Sequence, residues 1–154
     1  IETRKQELET KRSDVKTELK AEAKIKAGKS IAKTIEKSVE RLTKELRRFR
    51  EIQAKIETRL SKLEGQGADA TEARAVLAIA TTKLSAAEVS IKAISNVKVS
   101  AEDPRSSLDA VKTAVRAAQD ALKEAHESLS DVLPAMKALE ASVRRSATST
   151  KATN

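Results

Sequence analysis

The chain has 154 residues, with 31 Lys+Arg against 23 Asp+Glu, a formal net charge of +8, 26 Ala, one Phe, one His, three Gly and no Cys, Trp or Tyr. That composition excludes a thiol nucleophile, a disulfide framework and a Cys/His metal cluster, an aromatic platform for stacking bases and a Gly-rich phosphate-cradling loop. The dominance of Ala, Glu, Lys, Leu and Arg is the composition of long helices and coiled coils, and no run of 18 apolar residues is present to span a membrane.

In chain order, the first predicted helix covers about residues 2–64. Its opening segment, 1–34, is charged, with Glu-to-Lys pairs four apart at Glu7/Lys11 and Glu22/Lys26, each worth only ~0.2–0.5 kcal/mol. The apolar residues there (Leu8, Val15, Leu19, Ile25, Ile31) do not keep one heptad register, and Gly28 interrupts them. This segment reads either as a solvent-exposed helical extension or as a weak arm for homo-oligomerisation. From residue 35 a 3-4 repeat sets in: Ile35, Val39, Leu42, Leu46, Phe49, Gln53, Ile56, Leu60 and Leu63. Gln53, the polar member, is expected to set register rather than bind a ligand.

The first break is Glu64-Gly65-Gln66-Gly67, with Gly65 expected to end the helix in the left-handed conformation. Asp69-Ala70-Thr71-Glu72 then reads as a capping box. The second helix, 70–98, has the seam Ala70, Ala73, Leu77, Ala80, Leu84, Ala87, Ile91 and Ile94, whose small members let a neighbour approach closely. Asp103 is placed to cap a third helix with Pro104 at its first position. That helix, 104–144, carries Leu108, Val111, Val115, Ala118, Leu122, Ala125, Leu129, Val132, Met136, Leu139 and Val143 in one register. Residues 145–154, small and polar, read as a disordered tail.

Short connections make sequential helices antiparallel neighbours. The fold class expected is therefore all-α: an elongated, coiled-coil-like antiparallel three-helix bundle over 35–144 with a long protruding N-terminal helix. Helix lengths alone place the end of helix 2 beside residues 36–38 and bring helix 3 level with the first break near residue 131. Pro134 follows directly, so the bundle core is expected to end at about 133 and helix 3 to bend there as it leaves.

No carboxylates pair on an apolar face, and His126 has no Ser, Asp or second His at helical spacing, so no catalytic, cofactor-binding or metal-ligating residue is expected. The basic charge is the remaining lead. Residues 1–64 hold 19 Lys+Arg and 12 Asp+Glu, so +7 of the +8 belongs to helix 1. Arg41, Arg48, Lys55 and Lys62 recur every seven residues on its outer face, with Lys37 and Lys44 alongside. These six are the candidate contacts for a partner protein or an anionic polymer; nucleic acid is the less favoured partner, because no base-reading apparatus accompanies them. The competing interpretation is an ordinary solvated coiled-coil exterior, since Glu36, Glu40, Glu45, Glu51, Glu57 and Glu64 lie close by. Membrane insertion is not expected: the apolar faces are used in the core, and Trp is absent.

The junction Ile56-Glu57-Thr58-Arg59-Leu60-Ser61-Lys62-Leu63-Glu64-Gly65-Gln66-Gly67-Ala68-Asp69, followed by Ala73 and Leu77, resembles an I-E-S-R-I-x-K-L-E-x-x-G-x-D stretch. That stretch belongs to exported helical-bundle proteins predicted in candidate-phylum bacteria. Asp103-Pro104 and Ala125-His126-Glu127-Ser128-Leu129 look similar too, so the resemblance covers about residues 31–143 and leaves the charged first 30 aside. It implies an extracytoplasmic bundle, with a cytoplasmic setting still open, and it carries no activity and no site residues. A chain opening on Ile1 reads as a fragment or a processed form. The function expected is non-enzymatic, structural or scaffolding, through presentation of the basic helix. The alternatives are a polyanion or non-specific nucleic-acid binder and a holdase-like extracytoplasmic chaperone.

Overall fold

The computed structural model describes the backbone of residues 2–151 and the side chains of residues 3–148. Among these residues three helices pack on one another and no strand occurs: α1 (Glu2–Gly65), α2 (Thr71–Ser95) and α3 (Pro104–Lys151). The chain is an all-α three-helix bundle. Each of the eight seam residues of α2 and its cap, from Ala70 to Ile94, is buried. Leu42, Leu46, Ile56 and Leu60 of α1 join them in one core, as do Ala118, Leu122, Ala125, Leu129, Val132 and Met136 of α3. The period read from the sequence is thus the packing period. The α2–α3 pair carries the larger share of the packing, and α1 lies against both. Ala73, Ala80 and Ala87 on α2 and Ala118 and Ala125 on α3 put almost no side chain between the backbones.

The ends of the elements differ from expectation in informative ways. Helix α1 runs through Gly65, and the left-handed residue is Gly67 (φ 87°). The Ala68 amide donates to the Leu63 carbonyl and the Gly67 amide to that of Glu64, at 3.0 and 2.9 Å. This is the paired C-terminal bonding of a Schellman motif, centred two residues later than expected. The capping box does not form. Helix α2 starts at Thr71 with Ala70 in the cap position, and Asp69, one residue earlier, accepts from the Thr71 amide (3.1 Å) and hydroxyl (2.6 Å). Ala70 is drawn into the core instead, at 2% exposure. The α3 cap is as expected, with Asp103 accepting from the Ser106 amide at 3.1 Å ahead of Pro104.

The connection between α2 and α3 produces the largest correction. Helix α2 stops at Ser95, three residues early, and residues 96–103 continue along α1 instead of turning in place. Glu102 reaches Lys24 at 3.9 Å, and Val99 lies beside Gly28. Extended residues advance ~3.3 Å each against ~1.5 Å in a helix, so a few of them shift the start of α3 far down α1. Ser100 and Ser107 lock the turn: the Ser107 hydroxyl accepts from the Ser100 amide and donates to the Asp103 carbonyl. Two boundaries move as a result. Ile31, assigned above to the extension, is buried at 5%, so the unpartnered part of α1 ends near Lys24–Gly28 rather than at 34. At the other end, Glu140 pairs with Arg59, which is still inside α1. The bundle therefore continues past Pro134, with Met136 buried and Leu139 packed on the core, instead of ending at about 133. Pro134 sits inside α3 on its solvent side.

Helix α3 also continues beyond 144, to Lys151, where a disordered tail was expected; residues 152–154 lie outside the described residues. No Gly or Pro stops it. The Ser146 and Thr148 hydroxyls donate back to carbonyls one turn earlier, so these side chains bond within the helix and do not compete with it.

Two stability predictions follow from this packing. Leu84→Ala, at a fully buried seam position, should cost about 2–5 kcal/mol in denaturant unfolding, whereas Leu19→Ala, on the exposed extension, should cost less than ~0.5 kcal/mol. Gly67→Ala has open space around the new methyl, so only backbone strain acts, and thermal unfolding should show a loss of about 1–2 kcal/mol.

Candidate interaction surface

All six candidate cations, Lys37, Arg41, Lys44, Arg48, Lys55 and Lys62, lie on α1 and are exposed. Their spacings of four, three and seven residues keep them on one side of the helix, away from Leu42, Ile56 and Leu60. From Arg41 to Lys62 the strip is about 30 Å long. None of the six takes part in a hydrogen bond or an ion pair among the described residues.

Cations that reach across helix–helix grooves behave differently. Arg74 donates Nε and Nη2 to the two carboxylate oxygens of Glu64, both at 2.6 Å, and Nη2 also reaches Ser61 Oγ. Arg50 reaches Gln53, Ser85 and Glu88 at 3.3–3.4 Å. Arg59 pairs with Glu140, and Lys83 with Glu124 at 2.6 Å. Gln53 itself is half-buried and donates to Thr81 Oγ1 at 2.8 Å. Arg50, Gln53, Thr81, Ser85 and Glu88 form a polar ladder between α1 and α2. Sequence reasoning found Gln53 but missed the α2 members of the ladder, because Thr81, Ser85 and Glu88 lie 28 or more residues from their α1 partners and become neighbours only once the two helices are aligned.

The pairings also fix charge states. The Glu64 carboxyl is held below the ordinary Glu range chiefly by the hydrogen bonds from Arg74, which is itself raised by Glu64. Hydrogen bonding from Lys92, with a lesser pull from Arg50, lowers Glu88; hydrogen bonding from Lys83 lowers Glu124. Asp69 is lowered by the Thr71 hydroxyl and then the Thr71 amide.

His126 is exposed on α3 and stands 5.3 Å from Phe49, ring centre to ring centre, at a tilt of 38°. Glu45, Gln119 and Lys123 border the same groove, but no nucleophile or second imidazole does. Among the described residues no cluster of three His, Asp or Glu side chains is placed to hold a metal ion, and no helix is long and apolar enough to cross a membrane. Chemically, the outer face of α1 offers a line of cations without a hydrogen-bond or ion-pair partner among the described residues. No family model, curated protein or solved structure matches this chain.

The lowered carboxylates make a pH prediction with a definite sign. A carboxyl whose folded-state pKa lies below its unfolded value stabilises the fold above the unfolded value and loses that contribution as pH falls through the folded one. Melting temperature should be flat between about pH 5 and 8 and fall below about pH 4. The Glu64→Gln/Glu124→Gln variant should show a shallower acid decline in circular-dichroism melts.

Proposed function

We propose that the chain is a non-enzymatic structural or scaffolding protein whose elongated bundle presents the basic face of α1 to an acidic partner, a protein in preference to a nucleic acid. The observation that carries this reading is the contrast between two sets of cations. Arg50, Arg59 and Arg74, at the grooves, are neutralised within the molecule, while the six on the outer face of α1 have no internal partner. A face of that kind raises the local potential and steers association with acidic surfaces.

The preference for protein rests on the neighbouring charges. Glu36, Glu40 and Glu51 are exposed on the adjoining side of the same helix, and a phosphate backbone, uniformly negative, would be repelled by them. An acidic protein surface can place its own cations there. A holdase reading would need a broad exposed apolar surface, whereas the contiguous exposed apolar residues are confined to the narrow strip Leu8, Val15 and Leu19 on the arm. Under the scaffolding reading, the resemblance of residues 31–143 to exported bundles adds an extracytoplasmic setting.

Binding of a glutamate-rich Glu/Lys copolymer and of mixed-sequence duplex DNA by the intact chain tests the proposal. The copolymer, which carries both signs, should bind at about 50 mM salt, and Arg41→Glu/Arg48→Glu/Lys55→Glu should abolish binding without changing the melting temperature. Tighter binding of DNA, collapsing about a thousandfold between 50 and 200 mM salt, would favour the polyanion reading. Retention of neither ligand at low salt would overturn both.

A further inference from the structure

The N-terminal part of α1 carries an apolar strip that the bundle does not use. Leu8, Val15 and Leu19 are 60, 54 and 61% exposed, and with Lys11, Arg12 and Lys16 they border one shallow groove along the helix. Val15 and Leu42 are 27 residues apart, about seven and a half turns, so the strip faces the side opposite the core. Ile25 and Ile31, which blur the repeat in the sequence, belong to other faces: Ile25 is exposed beside the strip and Ile31 is buried in the bundle.

We propose that residues 3–24 of α1 pair with the same segment of a second copy as an antiparallel two-helix coiled coil. Written as a heptad, the strip has Leu8, Val15 and Glu22 at one seam position and Lys5, Arg12 and Leu19 at the other. One antiparallel register sets no like charges level with each other. Leu8 of one copy faces Leu19 of the other, and Val15 is flanked by the stem of Arg12, whose guanidinium reaches water. Lys5 faces Glu22 at the ends. The flanking positions agree: Glu9 meets Lys16 and Lys11 meets Glu18, each pair occurring twice by the two-fold symmetry.

Competing arrangements meet like charges. Sliding one heptad in one direction sets Glu9 against its own counterpart and Lys11 against its own; sliding in the other does the same to Lys16 and Glu18. A parallel pair would stack Lys5 on Lys5, Arg12 on Arg12 and Glu22 on Glu22, and would bring Lys11 against Lys16. The overlap ends near Lys24, where the connection to α3 first touches α1, so the two bundles project from opposite ends without collision. This inference uses residues separate from the basic face and stands or falls independently of its function.

The test is sedimentation equilibrium of the full chain at low salt, from ~5 to ~500 µM. The apparent mass should rise from 16.7 kDa towards twice that value. Lys16→Glu sets carboxylates against each other at both symmetric contacts and should weaken the dimer about tenfold; adding Glu9→Lys should restore it. Circular dichroism should show an unchanged melting temperature in both variants, because the segment is exposed and outside the core. A chain that stays monomeric over the whole range overturns the proposal. So does a dimer that Lys16→Glu leaves unchanged or tightens, tightening being the outcome for a parallel pair.

Discussion

The bundle depends on the seam of α2. Its buried residues alternate small with large from Ala73 through Leu77, Ala80, Leu84 and Ala87 to Ile91, then close on Ile94, and each stands at 5% exposure or less. A seam of this kind stabilises in two ways. The Leu and Ile side chains remove apolar area from water, at roughly 1.5–3 kcal/mol for each fully buried side chain. The alanines contribute little area themselves, but they lower the separation at which two backbones pack and so raise the number of dispersion contacts per turn. An almost ring-free composition suits this arrangement, because close helix–helix spacing leaves no room for aromatic side chains. Phe49, the only aromatic ring besides the His126 imidazole, is found at the edge of the core, half-buried against that imidazole.

The second constraint is the connection 96–103. Had α2 turned tightly, α3 would have started higher on α1, leaving a longer free arm below and a longer free α3 above. Extended residues carry the start of α3 towards Gly28 instead, where Val99 rests against a position with no side chain. At the far end the same shift keeps Met136, Leu139 and Glu140 in contact with the bundle, and it places Pro134 within the packed length of α3 on the solvent side. An exposed position is where a missing amide and a ring cost a helix least in packing.

Periodicity made the core legible in the sequence. Side chains at 3-4 spacing have one way to be buried together, so the α2 seam and most of the α1 and α3 seams follow from counting. The Asp103–Pro104 start is legible for a similar reason, since cap chemistry is local. What escaped depends on alternatives close in energy or on distant partners. Gly65 and Gly67 both suit a left-handed turn, and only the bonds back to Leu63 and Glu64 distinguish them. Asp69 suits a cap, but burying Ala70 displaced it by one residue. The six cations of the candidate face were identifiable as solvent-facing by their spacing. That they are unpaired was not, because pairing depends on which groove residues of α2 and α3 lie opposite. The apolar strip of the arm was hidden by reading Ile25 and Ile31 with it, although three faces of the helix are involved.

The strip and the basic face share one line along α1. From Leu8, steps of seven, four, seven, seven, four and seven residues lead through Val15, Leu19, Lys26 and Lys33 to Lys37 and Lys44, and each step returns to nearly the same side of a helix. In an antiparallel pair of arms, each copy turns this line towards the other. The two basic faces then begin about 70 Å apart, measured between the two copies of Lys37 at 1.5 Å per residue, and they look in opposite directions. A single rigid partner cannot touch both, so pairing adds no avidity towards one compact body. It does allow two acidic bodies to be held at a set separation by a continuous helical rod. A spacing role of the kind proposed thus requires both features together: paired arms would supply the length and the two-fold relation, and the unpaired cations would supply the contacts at either end.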